Sequence, residues 1–258
     1  METNSNRSPR TLDWRRALDV MASVSLIALS IVLISVTLIG RPEGEGEASP
    51  PTRPVRNSPP LPKEPVSLQG AALQGRPDAP IAIIEFADFE CPYCAKFARE
   101  TWPVLRERYV ASGQVLMAFR QLPLENIHRF AMTAAESAIC AGRQGRFWDM
   151  HEVLFQNPKR LDAASVRDYG KSLGLDSAAF VSCLEGEAVE QVRADQDAAR
   201  SLGISGTPTF LLGRTQPNGM VLVTERLGGA APVAMFAEAL DRLAAVTTAA
   251  QRGEHAIR

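Results

Sequence analysis

A Cys-Pro-Tyr-Cys tetrapeptide, Cys91 to Cys94, stands directly behind the apolar run Ile81-Ala-Ile-Ile-Glu-Phe-Ala87. The run is short, rich in β-branched residues and bounded by Pro80 and Asp88, which predicts a central strand buried on both faces. Behind the tetrapeptide the period changes. Phe97, Leu105 and Tyr109 share one helical face, with Pro103 set to bend the helix. The chain must therefore turn from a buried strand into a helix across a pair of thiols. Pro92 suits the first helical position, which makes Cys91 the N-cap. The free N–H groups of Tyr93 and Cys94 then face the Cys91 sulphur and, with the helix dipole, favour a thiolate. A helix terminus contributes up to about 2 kcal/mol, and one pKa unit is worth about 1.36 kcal/mol, so the helix end alone lowers a thiol pKa by about 1.5 at most. A strongly oxidising dithiol needs further donors. Cys94, deeper in the helix, is expected to be the more buried of the two.

Glu85 interrupts the apolar strand. Alternation sets it on the face opposite Ile84 and Phe86. A carboxylate there is costly to bury unless it is used or paired. One reading makes Glu85 a proton acceptor for the Cys94 thiol through a water; the other has it reach solvent or a partner at the sheet end. Asp88 and Glu90 read as loop and capping residues. A Cys-x-x-Cys can also be half of a zinc site, but a zinc ribbon needs a second such pair or paired histidines. Cys140 and Cys183 stand alone, and His128 and His151 are not spaced as ligands, so no metal is expected.

Residues 115–122 make a second strand. From about residue 126 to residue 202 the period is helical, and Gly142, Gly145, Asn157-Pro158 and Gly174 break it into four or five helices. Phe130, Ala134, Ala138 and Ala141 fit one apolar face, and Phe147, Leu154 and Phe155 another. Cys140 and Cys183 fall in different helices. In an oxidising compartment they can form a structural disulfide; two buried free thiols or a second redox pair are the other readings. Gly203-Ile-Ser-Gly206-Thr207-Pro208-Thr209-Phe210-Leu211-Leu212 reads as a turn entering another apolar strand. A buried proline at such a place is often cis. Residues 220–226 and 231–245 supply a last strand and helix, and 247–258 read as a frayed tail.

The first sixty-odd residues are different. Residues 1–19 are polar and carry Arg7, Arg10, Arg15 and Arg16, and residues 20–40 contain no charge. A helix over that run spans about 31 Å, which matches a bilayer core of about 30 Å. A transmembrane anchor is expected, with a cleaved signal peptide as the alternative; the run is long for a signal and Ile39-Gly40-Arg41-Pro42 is a poor cleavage site. The arginines favour a cytoplasmic N-terminus. Residues 41–65 hold eight prolines and read as an extended tether. The net charge of −1 gives no electrostatic reason to expect nucleic acid as a partner.

Taken together, residues 66–246 resemble a thioredoxin fold with a helical insertion at about 126–202, and within it the DsbA-like family. The residues that carry the resemblance are Glu85-Phe86-Ala87-Asp88-Phe89-Glu90-Cys91-Pro92-Tyr93-Cys94, Phe147-Trp148-Asp149-Met150-His151 and Gly206-Thr207-Pro208-Thr209. The fold class is thus α/β, preceded by a single transmembrane helix. The resemblance implies that Cys91 is the exchanging nucleophile, Cys94 its resolving partner and Glu85 the buried acid. It implies that Pro208 is cis beside the cysteines and that Thr207 offers backbone bonds to a bound peptide. Pro92 and Tyr93 would tune the redox poise; the same dipeptide occurs in glutaredoxins. The expected function is disulfide donation to unfolded or reduced proteins on the periplasmic side of the cell membrane. No cofactor is expected, and reoxidation would fall to a quinone-linked membrane partner, DsbB-like or vitamin K epoxide reductase-like. The competing readings are a membrane-tethered reductase or isomerase, a cytosol-facing glutaredoxin-like enzyme, and a peptide-binding chaperone module with a passive disulfide.

Overall fold

Strand β3 (Ile81–Ala87) is buried at every position and lies inside a six-stranded sheet. The computed structural model describes residues 60–255, without the side chains of residue 187 and residues 247–255. The tail 1–19, the anchor expected at 20–40 and the tether up to residue 59 lie outside the described residues. Among the described residues no helix is long and apolar enough to cross a membrane.

The other strands are β1 (Val66–Ser67), β2 (Ala72–Gln74), β4 (Val115–Gln121), β5 (Thr209–Thr215) and β6 (Met220–Gly228), in the order β1-β6-β5-β3-β4-β2. β3 runs parallel to β4 and antiparallel to β5, and Glu85 is paired with Phe119 on one side and Phe210 on the other. At the register shift beside Gly213 the strands come so close that a Cβ would run into the Leu222 carbonyl. The strands β1 and β2 have no counterpart in the sequence reading. Two or three residues are too few to show an alternating pattern. β2 lies at a sheet edge, and its Leu73 carbonyl accepts a 2.9 Å hydrogen bond from the Trp148 indole, so that edge is covered by a helix.

Helix α1 (Pro92–Glu100) follows β3, and α2 (Trp102–Leu105) continues it through a π-helical turn at Arg106–Val110. The bend expected at Pro103 is centred on Thr101, because Pro103 sits in the first turn of α2, where its missing N–H is not needed. Five helices lie between β4 and β5: α3 (Ala131–Gly142), α4 (Phe147–Gln156), α5 (Ala163–Ser172), α6 (Ser177–Ser182) and α7 (Val189–Ser201). Helix α8 (Val233–His255) closes the chain. It carries on past residue 246, where the sequence suggests a frayed tail, because Ala249, Ala250, Gln251 and Arg252 are good helix formers and no glycine intervenes before Gly253.

Side-chain parity divides the core. Ile81, Ile83, Met117, Phe210 and Leu212 pack on α1, α2 and α8 through Phe97, Leu105, Phe236 and Leu240. Ala82, Ile84, Phe86, Ala118 and Leu211 face the other way, toward Ala199 and Ile204 at the end of α7. A third cluster joins Phe89, Cys91 and Cys94 to the inserted helices through Phe119, Ala134, Ala138, Met150, Leu154 and Phe155. The dithiol is thus placed where sheet and insertion meet. The buried pair Arg120–Asp195 fastens α7 to the sheet at 2.6 Å. Asp195 also accepts from the Gln121 N–H, and Arg120 donates to the Ser67 and Gln69 carbonyls.

Candidate active site

Cys91 is the N-cap of α1, with extended backbone, and Pro92 opens the first turn. Its N–H donates to the Asp88 carbonyl at 3.1 Å, and its carbonyl accepts from the Ala95 N–H at 3.0 Å. Both cysteines are free thiols in this structure. Cys94 is fully enclosed and Cys91 nearly so, while Tyr93 between them is 62% exposed. The motif therefore presents an aromatic ring to solvent and keeps its sulphurs back.

The two thiols have opposite acidities. The Cys94 thiol, donating toward the Cys91 sulphur, is the largest influence on Cys91. Helped by Thr207 and by the Cys94 and Tyr93 N–H groups, it outweighs burial and lowers the Cys91 pKa to about 5. The Cys94 thiol and the Thr207 side chain are the further donors that the helix end alone lacked. For Cys94 the order is reversed. Burial first, then the demands of Cys91, push its pKa well above the ordinary thiol value, and the charge of Glu85 adds to this. At neutral pH Cys91 is a thiolate and Cys94 a thiol.

Glu85 lies inside β3, 1% exposed, on the sheet face that carries Ile81 and Ile83. Burial raises its pKa to about 8, and its Oε1 has no hydrogen-bond partner among the described residues. It is a neutral acid at pH 7, and close enough to Cys94 that its charge is felt there once it ionises.

The Thr207–Pro208 peptide bond is cis. β5 begins at Thr209, paired with Phe86, which brings this turn beside the end of β3. The Cys91 sulphur lies 3.5 Å from the Thr207 carbonyl oxygen, within reach of a hydrogen bond when Cys91 is a thiol. The structure thus gathers Glu85, Cys91, Pro92, Tyr93, Cys94, Thr207 and Pro208 at one place. Cys140 and Cys183 are elsewhere: they form a disulfide, S–S 2.04 Å, that joins α3 to the turn after α6 inside the insertion.

Asp88 and Glu90 do more than shape their own loop. Asp88, 2% exposed, accepts from the Glu90 and Leu124 N–H groups at 2.8 Å each and lies 2.8 Å from His128 Nδ1. Glu90 accepts from the Phe130 N–H at 2.7 Å, at the start of α3. Together they hold residues 122–130 against the cysteines. The partners are 36 to 40 positions away, so no local pattern could have shown this. His151, read as packed, is buried among Phe89, Phe119, Trp148 and Phe155.

Comparison with known proteins agrees with this geometry. The family model described as Thioredoxin matches residues 67–221. Among curated proteins, the chain is 36% identical over 156 residues to the Na(+)/H(+) antiporter NhaA 3 of Salinispora tropica, and 32% identical over 149 residues to NhaA of Herminiimonas arsenicoxydans. These stretches cover 60% and 57% of this chain but only 23% of each relative, so the chain spans less than a quarter of their length. Among solved structures it resembles alpha-DsbA1 of Wolbachia pipientis, with a TM-score of 0.59 and 24% identity, covering 69% of this chain and 92% of that one. It also resembles oxidised BdbD of Bacillus subtilis, with a TM-score of 0.57 and 23% identity over 69% and 97%. With the family model covering the strand, both cysteines, the cis proline and the insertion alike, the chain belongs to the thioredoxin family and has the fold of its DsbA-like oxidoreductases.

Proposed function

We propose that this chain is a thiol–disulfide oxidoreductase that donates disulfides to reduced proteins. The observation that carries the reading is the opposed acidity of Cys91 and Cys94 at the strand–helix junction. A substrate thiolate attacks the Cys91 sulphur of the oxidised enzyme, and the Cys91–Cys94 bond breaks with its electron pair on Cys94. Glu85, neutral at pH 7, supplies the proton that Cys94 needs as a thiol. The substrate's second thiolate then attacks its own first sulphur and expels Cys91. The substrate leaves with a disulfide, and the enzyme keeps two electrons. Because Cys91 is stable as a thiolate it is a good leaving group, which favours this direction. The bulky exposed Tyr93 and the backbone at Thr207 suit an extended peptide as substrate.

The uncharged run at residues 20–40 supports an anchored enzyme with its catalytic domain on the periplasmic side. The stored electrons then pass to a quinone-linked membrane partner. The test is the reduction potential of the Cys91–Cys94 pair in the full chain, read by alkylation and mass spectrometry in glutathione buffers. A value between about −120 and −180 mV agrees with disulfide donation; one near about −270 mV makes the protein a reductase. Retained activity in Cys91→Ser would leave only a peptide-binding module.

A further inference from the structure

The segment Phe147–His151 takes no part in the thiol chemistry, yet its Trp148 and His151 wall a cavity of about 300 Å³ between α4, the α1–α2 pair and Gln74 of β2. Small-molecule sites begin at about this size. Trp102 and Trp148 stack along one side, ring centroids 5.4 Å apart and 26° from parallel. Deep in the wall sits His151, 4% exposed. Burial, and after it the Arg106 charge, lowers its pKa to about 3, so the ring is neutral, with one donor and one acceptor. Gln74 of β2 lines the same space, and its Oε1 is buried without a hydrogen-bond partner among the described residues. A buried acceptor is thus left unmet beside an aromatic wall, which is unusual in a folded interior.

The mouth of the cavity carries charge. Arg99 and Arg106 are exposed there, and among the described residues neither guanidinium has an ion-pair or hydrogen-bond partner. Glu152 also lines the cavity and accepts from Gln156 Nε2 at 3.0 Å. The balance is one positive charge, with two forks able to grip a carboxylate.

We propose that this cavity binds a hydroxylated aromatic acid. The ring lies against Trp102 and Trp148, the hydroxyl donates to Gln74 Oε1 and meets His151, and the carboxylate rests on Arg99 and Arg106. The site is independent of the redox reading, since the thiol chemistry above uses none of these residues.

The test is calorimetric titration of the full chain with 6-hydroxy-2-naphthoate, with 6-hydroxy-2-naphthamide and 2-naphthoate as comparisons. The hydroxy acid is expected to bind one site about tenfold more tightly than either comparison. The variant Arg99→Gln/Arg106→Gln changes only exposed side chains. It should bring the acid down to the affinity of the amide and leave the amide unchanged. Gln74→Leu should remove the preference for the hydroxyl. The proposal is overturned by the absence of saturable binding at millimolar ligand, by equal binding of acid and amide, or by a double variant that binds the acid as the native chain does.

Discussion

The Cys91 sulphur lies 3.5 Å from the carbonyl oxygen of Thr207, a residue 116 positions further along the chain. A carbonyl accepts and cannot donate, so this contact suits a thiol and opposes a thiolate. The low pKa of Cys91 must come from other groups, the Cys94 thiol first, then the Thr207 side chain and the Cys94 and Tyr93 N–H groups. Removal of the Cys94 donor should therefore raise the Cys91 pKa from about 5 by roughly one unit or more, about a fivefold loss of thiolate at pH 5. Cys94→Ala makes this change, whereas Cys94→Ser keeps a donor and should shift it less. The pH dependence of iodoacetamide alkylation reads both. An unmoved midpoint in Cys94→Ala would assign the thiolate to the Thr207 side chain and the backbone N–H groups.

Glu85 makes a prediction about stability. Its carboxyl has a pKa near 8 in the folded chain and near 4.3 when unfolded. Below pH 4 both forms are protonated and the group is neutral in its effect. Above that, the unfolded chain releases its proton and the folded one does not, so stability falls as pH rises, by about 3 to 4 kcal/mol at pH 7 and no further beyond pH 8. Glu85→Gln should remove this slope and stabilise the protein at pH 7 by roughly 2 kcal/mol, less than the full amount because a buried amide also lacks partners. Urea unfolding at pH 4.5 and pH 7.5 measures it. The same variant should oxidise substrate dithiols about tenfold more slowly, since Cys94 loses its proton source.

Much of this site was legible in the sequence because its chemistry is local. Strand, N-cap, proline and second thiol follow one another within fourteen residues, 81–94, and helix capping is a property of such short stretches. Parity within the strand was enough to set Glu85 opposite Ile84 and Phe86. What could not be read depends on distant residues. The donors to Asp88 come from Leu124 and His128, and Arg120 finds Asp195 across 75 positions. Nor can a sequence separate two buried thiols from a disulfide, because pairing at Cys140 and Cys183 rests on a 5.7 Å Cα separation set by the packing of the insertion.

That disulfide closes a loop of 43 positions. The chain-entropy model gives about 4 kcal/mol for such a loop. Cys140→Ala/Cys183→Ala should lower stability by about 2 to 4 kcal/mol and leave the alkylation midpoint of Cys91 where it was, since no donor to that sulphur changes. A moved midpoint would couple the insertion to the dithiol.

The Arg120–Asp195 pair should be among the least replaceable contacts outside the site. Their side chains are 7% and 2% exposed, so loss of one partner strands a buried charge. Asp195→Ala should cost about 3 to 5 kcal/mol; Asp195→Asn, which keeps acceptor oxygen for Arg120, should cost less. A surface-like effect below about 1 kcal/mol in urea unfolding would mean that water reaches Arg120 from the side of Ser67 and Gln69.

Asp88 offers the sharpest separation between folding and exchange. Its carboxylate takes two N–H groups and faces His128, and all three partners belong to the loops that flank the thiols. Asp88→Ala leaves α1 and the cysteines in place, because the backbone bond from Cys91 uses the Asp88 carbonyl and not its side chain. The expected result is local. The Leu124 and Glu90 amides should exchange with deuterium about tenfold faster, near 1.4 kcal/mol of lost protection, while the Cys91 midpoint stays near its native value. Peptide dithiols should then be oxidised more slowly through weaker binding, seen as a higher KM at similar kcat, because residues 122–130, which carry the exposed Ile127, are tied through Glu90 to the segment that presents the exposed Tyr93. If kcat fell instead with KM unchanged, Asp88 would be acting on the sulphurs themselves and not on the surface beside them.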